Sequence, residues 1–114
     1  MPYIATRVSC GITPEQEKAL KTEMGQLISL LPGKSEQWLM CDFTPDCHLY
    51  FQGKNDQKIA FVSVRVFGKS EGKYYEALTE GLTALLEREL SIPARNIYVQ
   101  YEECSVWGWN GHNF

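Results

Sequence analysis

Few side chains in this sequence are equipped for soft-ligand or near-neutral acid–base chemistry. Four cysteines, Cys10, Cys41, Cys47 and Cys104, and two histidines, His48 and His112, make up the whole complement. Thiol–disulfide chemistry favours a closely spaced cysteine pair, and no C-x-x-C occurs. The six residues also lack the paired spacing of a tetrahedral zinc site, so no metal is expected. The cysteines therefore read as buried thiols. A nucleophilic cysteine brought near His48 or His112 by the fold is the weaker alternative.

The chain has 114 residues, 44% hydrophobic and 22% charged, which suits one compact core spanning residues 1–114 and argues against disorder. Eleven Lys and Arg against fourteen Asp and Glu give a net charge of -3. No basic cluster offers the footprint that a phosphate backbone requires, so nucleic acid is not an expected partner. No apolar run approaches the roughly 20 residues that cross a bilayer, and no membrane insertion is expected. The opening MPYIATRVS lacks a basic segment followed by a signal-peptide core, which predicts a cytoplasmic product. The Leu49–Gly53 stretch LYFQG resembles part of a protease tag site, but it lies mid-chain and lacks the upstream Glu, so it reads as native sequence.

The elements that must position any site follow from two apolar periodicities. Thr13 as N-cap, Pro14 at the first helical position and Gln16 three residues after the cap predict a helix start. Leu20, Met24, Leu27, Ile28 and Leu31 then recur at helical spacing up to Pro32-Gly33. A second helix begins after Ser70, carries Tyr74, Leu78, Leu82, Leu85, Leu86 and Leu90, and ends before Pro93. A shift of 58 residues lays Leu20 on Leu78, Met24 on Leu82, Leu27 on Leu85 and Ile28 on Leu86. The same shift lays Ile4, Arg7 and Val8 on Val62, Arg65 and Val66, and Leu39-Met40-Cys41 on Ile97-Tyr98-Val99.

Matched strands on both sides of matched helices predict a tandem duplication, residues 1–57 and 58–114, of a β-α-β unit. Two right-handed crossovers side by side give an α+β fold: a four-stranded mixed sheet with two helices on one face. Ile4, Val8, Val62, Val64 and Val66 suit the helix-facing side. The other side would present Tyr3, Ala5, Arg7, Met40, Phe61, Ser63, Arg65, Phe67 and Tyr98. That face is too aromatic for bare solvent and too charged for a simple core, so a closed homo-oligomer is expected to cover it.

Met1-Pro2, Gly33-Lys34, Trp38-Leu39-Met40, Phe67-Gly68, the Ile92–Tyr98 stretch and the tail Trp107-Gly108-Trp109-Asn110-Gly111 ending at Phe114 occur in an order and spacing that are specific together. In these residues the chain resembles the macrophage migration inhibitory factor (MIF) family of the tautomerase superfamily. The resemblance runs nearly end to end. It implies a homotrimer with sheets around a central channel, and a reactive amino-terminal Pro2 exposed by removal of Met1. A proline amine whose cation is disfavoured by burial and by nearby positive charge is a serviceable general base near neutral pH. Without the resemblance, Pro2 would read only as a small residue opening a strand.

The resemblance assigns Lys34 to a substrate carboxylate, although a cation at that place also suits the end of a helix dipole. It assigns the backbone N–H of Phe67 to substrate, where packing alone would make Phe67 a strand residue. Tyr98 is implied to enter a neighbouring subunit's pocket, and Gln100 stands where many members have Asn. Trp38, Trp107, Trp109 and Phe114 would form an aromatic rim suited to an aryl group, each good ring pair being worth about 0.5–1.5 kcal/mol. Pinning of the tail is an equal reading for Trp109. Trp107 replaces a smaller apolar residue and would narrow the site.

The implied activity is keto–enol tautomerisation of phenylpyruvate-like aryl 2-oxo acids without a cofactor, with dopachrome-type substrates a related option. The alternative is a cytokine-like protein that binds a cell-surface receptor, exported without a signal peptide and carrying a vestigial pocket. Three departures bear on substrate choice: Ser35 for Pro, Gln52–Gln57 for a Gly-Ser-rich turn with a one-residue insertion, and Arg65-Val66 for His-Ser. Lys58-Ile59-Ala60-Phe61 occupies the region of the C-x-x-C found in some members, so no thiol oxidoreductase activity is expected by that route.

Overall fold

A computed structural model describes residues 1–114. Strand β1, Pro2–Val8, alternates buried and less buried residues, as a half-covered strand must. Helix α1, Pro14–Leu27, begins with the expected capping box. Gln16 N–H donates to Thr13 Oγ1 at 3.1 Å and Thr13 N–H donates to Gln16 Oε1 at 2.9 Å, satisfying two otherwise unpaired donors. After Leu27 the chain tightens into a 3₁₀ turn, Ile28–Leu30, so that Leu31, the last residue of the stripe, lies beyond helical backbone. Gly33, at φ +80°, then turns the chain toward strand β2, Met40–Thr44. Strand β3, Ala60–Phe67, helix α2, Gly72–Leu90, and strand β4, Ile97–Cys104, repeat the order. The 58-residue offset carries Pro2 onto Ala60 and Pro14 onto Gly72, the first residues of β1 and β3 and of α1 and α2.

The sheet order is β2-β1-β3-β4. β1 runs parallel to β2, β3 runs parallel to β4, and the two central strands are antiparallel. This is the α+β mixed sheet that the duplicated pattern predicts. Ile4, Val8, Val62, Val64 and Val66 are wholly buried under Leu20, Met24, Ile28, Leu78, Leu82 and Leu86. Full burial of each such side chain contributes roughly 1.5–3 kcal/mol before entropy is counted. The helices approach closely at Gly81, where a Cβ would stand 2.6 Å from Leu27 Cδ2. No helix is long and apolar enough to cross a membrane.

The uncovered face is arranged in rows across all four strands. Met40, Tyr3, Arg65 and Glu102 form the first; Asp42, Ala5, Ser63 and Gln100 the second; Thr44, Arg7, Phe61 and Tyr98 the third. Met40 and Tyr98 are 66% and 57% exposed in the isolated chain, so apolar surface remains open on this face.

Two features differ from the sequence reading. The tail adds a hairpin, β5 Gly108–Trp109 with β6 His112–Asn113, turned at Asn110 and Gly111, both at positive φ. Among the cysteines only Cys47 is buried; Cys10, Cys41 and Cys104 are partly exposed, and Cys41 packs against the core from the edge strand β2, which has no neighbouring strand to cover its outer side. Burial, followed by the nearby Glu36 charge, still pushes the Cys41 thiol up to about 11. Such a thiol is almost entirely protonated near neutral pH.

Candidate active site

The start of β1, the segment entering β2 and the end of β4 converge with the tail on one open cleft of about 1190 Å³. Pro2 lies in its wall and is buried. Trp38, Trp107 and Trp109 line the same cleft, so all three tryptophans of the chain meet there. Trp38 and Trp109 pack edge to face with centroids 5.0 Å apart. Phe114 stacks on Trp109 at 6.4 Å and tilts against Phe67 at 5.9 Å, closing an aromatic chain from the 3₁₀ turn Glu36–Trp38 to β3. The β5–β6 hairpin holds Trp109 in this position, and Phe114 N–H donates to the Trp107 carbonyl at 2.9 Å. Packing and cleft lining are therefore both properties of Trp109.

Lys34 reaches the site from the loop after α1. Its ammonium donates to the Phe67 carbonyl at 2.8 Å, tying that loop to the end of β3. The other side of the same residue is also engaged, since Phe67 N–H donates to the Met1 carbonyl at 3.1 Å. Burial first, and the Lys34 charge second, hold the Met1 amino group below the usual α-amine range. The chain start thus lies where a cationic amine is disfavoured.

Residues that the sequence reading did not assign to the site also line the cleft: Tyr3, Gln37, Leu39, Met40, Arg65, Glu102, Glu103 and Cys104. Tyr3 O–H donates to Asp42 Oδ2 at 2.6 Å, and that bond raises the phenol above its ordinary range. Glu103 accepts from Tyr75 O–H at 2.7 Å, which holds its carboxyl below the usual carboxylate range. Alternation along β4 places Glu102 on the same face as Tyr98 and Gln100, while its position opposite Arg65 comes from the register with β3.

Tyr98 and Gln100 do not line the cleft of their own chain. Tyr98 lies in the third row, edge to face with Phe51 at 5.1 Å and Phe61 at 6.3 Å. Gln100 lies in the second. Phe67, Lys34 and Phe114 support the cleft through the contacts above rather than by lining it. No group of three or more His, Cys, Asp or Glu is arranged to hold a metal ion.

This two-layer fold with its cleft at the chain start is the MIF-like tautomerase fold. The family model described as macrophage migration inhibitory factor matches residues 1–114, and the chain belongs to that family. Macrophage migration inhibitory factor of Xenopus laevis is 27% identical over 113 residues, covering 97% of this chain and 95% of that protein. The crystal structure of Leishmania major MIF2 is similar with 31% identity and a TM-score of 0.92, over 100% of this chain and 97% of that one. A homologue from Prochlorococcus marinus is 28% identical with a TM-score of 0.86, over 98% of each chain.

Proposed function

We propose that the protein is a keto–enol tautomerase of phenylpyruvate-like aryl 2-oxo acids. The observation that carries this reading is the meeting of Pro2 with three tryptophans in one cleft beside Lys34. Removal of Met1 would turn Pro2 into a secondary amine in surroundings that disfavour its cation, and neutral Pro2 would remove the proton alpha to the keto group. Carbon then becomes part of an enolate, and the same nitrogen returns the proton at the other end of the conjugated system. Lys34 draws the carboxylate and opposes protonation of the base. The Phe67 N–H is a donor for the substrate, and the tryptophans hold the ring. In the proposed homotrimer, Tyr98 and Gln100 of a neighbour complete the cleft, with Gln100 stabilising the developing enolate oxygen.

The direct test is enol–keto conversion of phenylpyruvate, followed by absorbance, with protein whose Pro2 terminus is verified by mass spectrometry. Turnover well above the buffer rate is expected. No turnover by correctly processed protein would sink the assignment.

Lys34→Ala gives a second expected result with a defined sign. Loss of the ammonium favours protonated Pro2, so its pKa rises and the acid limb of kcat/KM moves to higher pH. The loss is largest on the acid side of that limb and shrinks above it. Because burial is the larger cause of the depression at the Met1 amine, part of the depression is expected to survive at a Pro2 terminus. An unmoved acid limb in the pH profile would remove Lys34 from this role.

A further inference from the structure

Arg65 is the one Lys or Arg side chain in the lining of the cleft; Lys34 is not among the lining residues and spends a hydrogen bond on the Phe67 carbonyl. Its position follows from the sheet. Arg65 lies opposite Tyr3 on one side and Glu102 on the other, in the row nearest the cleft. Its guanidinium carbon stands 5.8 Å from the Tyr3 ring centroid, within reach of a cation–π contact.

The only ion contact of Arg65 is Nε to Glu102 Oε2 at 3.6 Å, too long and one-sided to be a forked pair. Both partners are 55% exposed at the side chain, so the contact is weak and solvent-screened. Both Nη groups are unspent. A guanidinium held against an aromatic ring with its fork free is suited to donate two parallel hydrogen bonds to a carboxylate.

We infer that Arg65 grips the carboxylate of the 2-oxo acid with its free fork, and that Glu102 is a resident anion competing for the same guanidinium. The inference rests on the reading of the cleft as a 2-oxo acid site. It divides the cationic work: Lys34 acts through its field on Pro2 and on the anion, while Arg65 makes the directional contact. It also gives a reason for the change to Arg at this position, because a forked donor fixes the orientation of an aryl 2-oxo acid lying between the tryptophans.

The test uses phenylglyoxylate, an aryl 2-oxo acid with no enolisable hydrogen, so binding is read apart from proton transfer. Quenching of tryptophan fluorescence reports it, since every tryptophan lines the cleft. Arg65→Ala is expected to weaken binding roughly tenfold, the low end for a charge-assisted pair at a partly exposed site. Arg65→Lys should recover only part of that loss, since it keeps charge without the fork. Glu102→Gln should tighten binding about threefold, a gain that a damaged fold would not produce.

In phenylpyruvate turnover the Arg65→Ala effect should fall on KM, with kcat little changed. Unchanged phenylglyoxylate affinity in Arg65→Ala, or weaker binding in Glu102→Gln, overturns the inference. So does failure of the wild type to bind at millimolar concentration. Arg65-dependent binding without phenylpyruvate turnover would uphold the inference while rejecting the catalytic reading.

Discussion

Phenylpyruvate tautomerisation is expected to fall roughly a hundredfold to ten-thousandfold when Pro2 is replaced by Gly in the processed protein, the range of a lost general base. Retention of Met1 should be as damaging, for two separate reasons visible around Phe67. An amide nitrogen in the Met1–Pro2 bond has no basic lone pair. The Met1 carbonyl also occupies the Phe67 N–H at 3.1 Å, so an unprocessed chain blocks a backbone donor as well as the base. Processing would release both together.

The comparison therefore needs three proteins of verified terminus: processed wild type, Met1-retained wild type and processed Pro2→Gly. Helical circular dichroism should be the same in all three, because Pro2 lies at the start of β1, outside both helices. Equal turnover would remove Pro2 from the mechanism. The cytokine-like alternative separates in the same set: receptor binding that persists in Pro2→Gly after turnover is lost would assign the two activities to different surfaces.

The helices and strands were legible because their signals are local. Thr13, Pro14 and Gln16 specify a helix start within one turn, and Ile4, Val62, Val64 and Val66 declare their face by alternation. The 58-residue offset then supplied the topology, since two β-α-β units leave few ways to join. The tail hairpin was also legible in principle: Asn110-Gly111 is a favoured two-residue turn, but two-residue strands carry no alternation to announce them. The Arg65–Glu102 contact was a different matter. It depends on the register between β3 and β4, which is set by packing of residues far apart in sequence. Tyr98 and Gln100 illustrate the converse, because the resemblance assigns them to a cleft that their own chain does not bring to them.

Ser63→Arg is expected to convert an oligomeric protein to monomer and to abolish most of its turnover while leaving its secondary structure intact. Ser63 occupies the centre of the uncovered face, opposite Ala5 and Gln100. Ala5 and Ser63 are the small residues of a row flanked by the larger ones of Tyr3, Arg65, Arg7 and Phe61, so a covering surface can approach closest there. In an isolated chain a guanidinium at this place remains in water and costs little. Under a proposed neighbouring subunit it would be a buried charge without a designed partner, a penalty of several kcal/mol.

Sedimentation velocity should therefore show a trimer for the wild type and a monomer for Ser63→Arg, with unchanged far-ultraviolet circular dichroism. Turnover should fall in step with the trimer, because each cleft would lose the Tyr98 and Gln100 of its neighbour. Phenylglyoxylate binding should fall less than turnover, since the tryptophans and Arg65 belong to the same chain as Pro2. A wild type that sediments as a monomer, or a Ser63→Arg trimer with full activity, would exclude this face as the interface. Full activity from a monomeric Ser63→Arg would instead locate the whole catalytic site within a single chain.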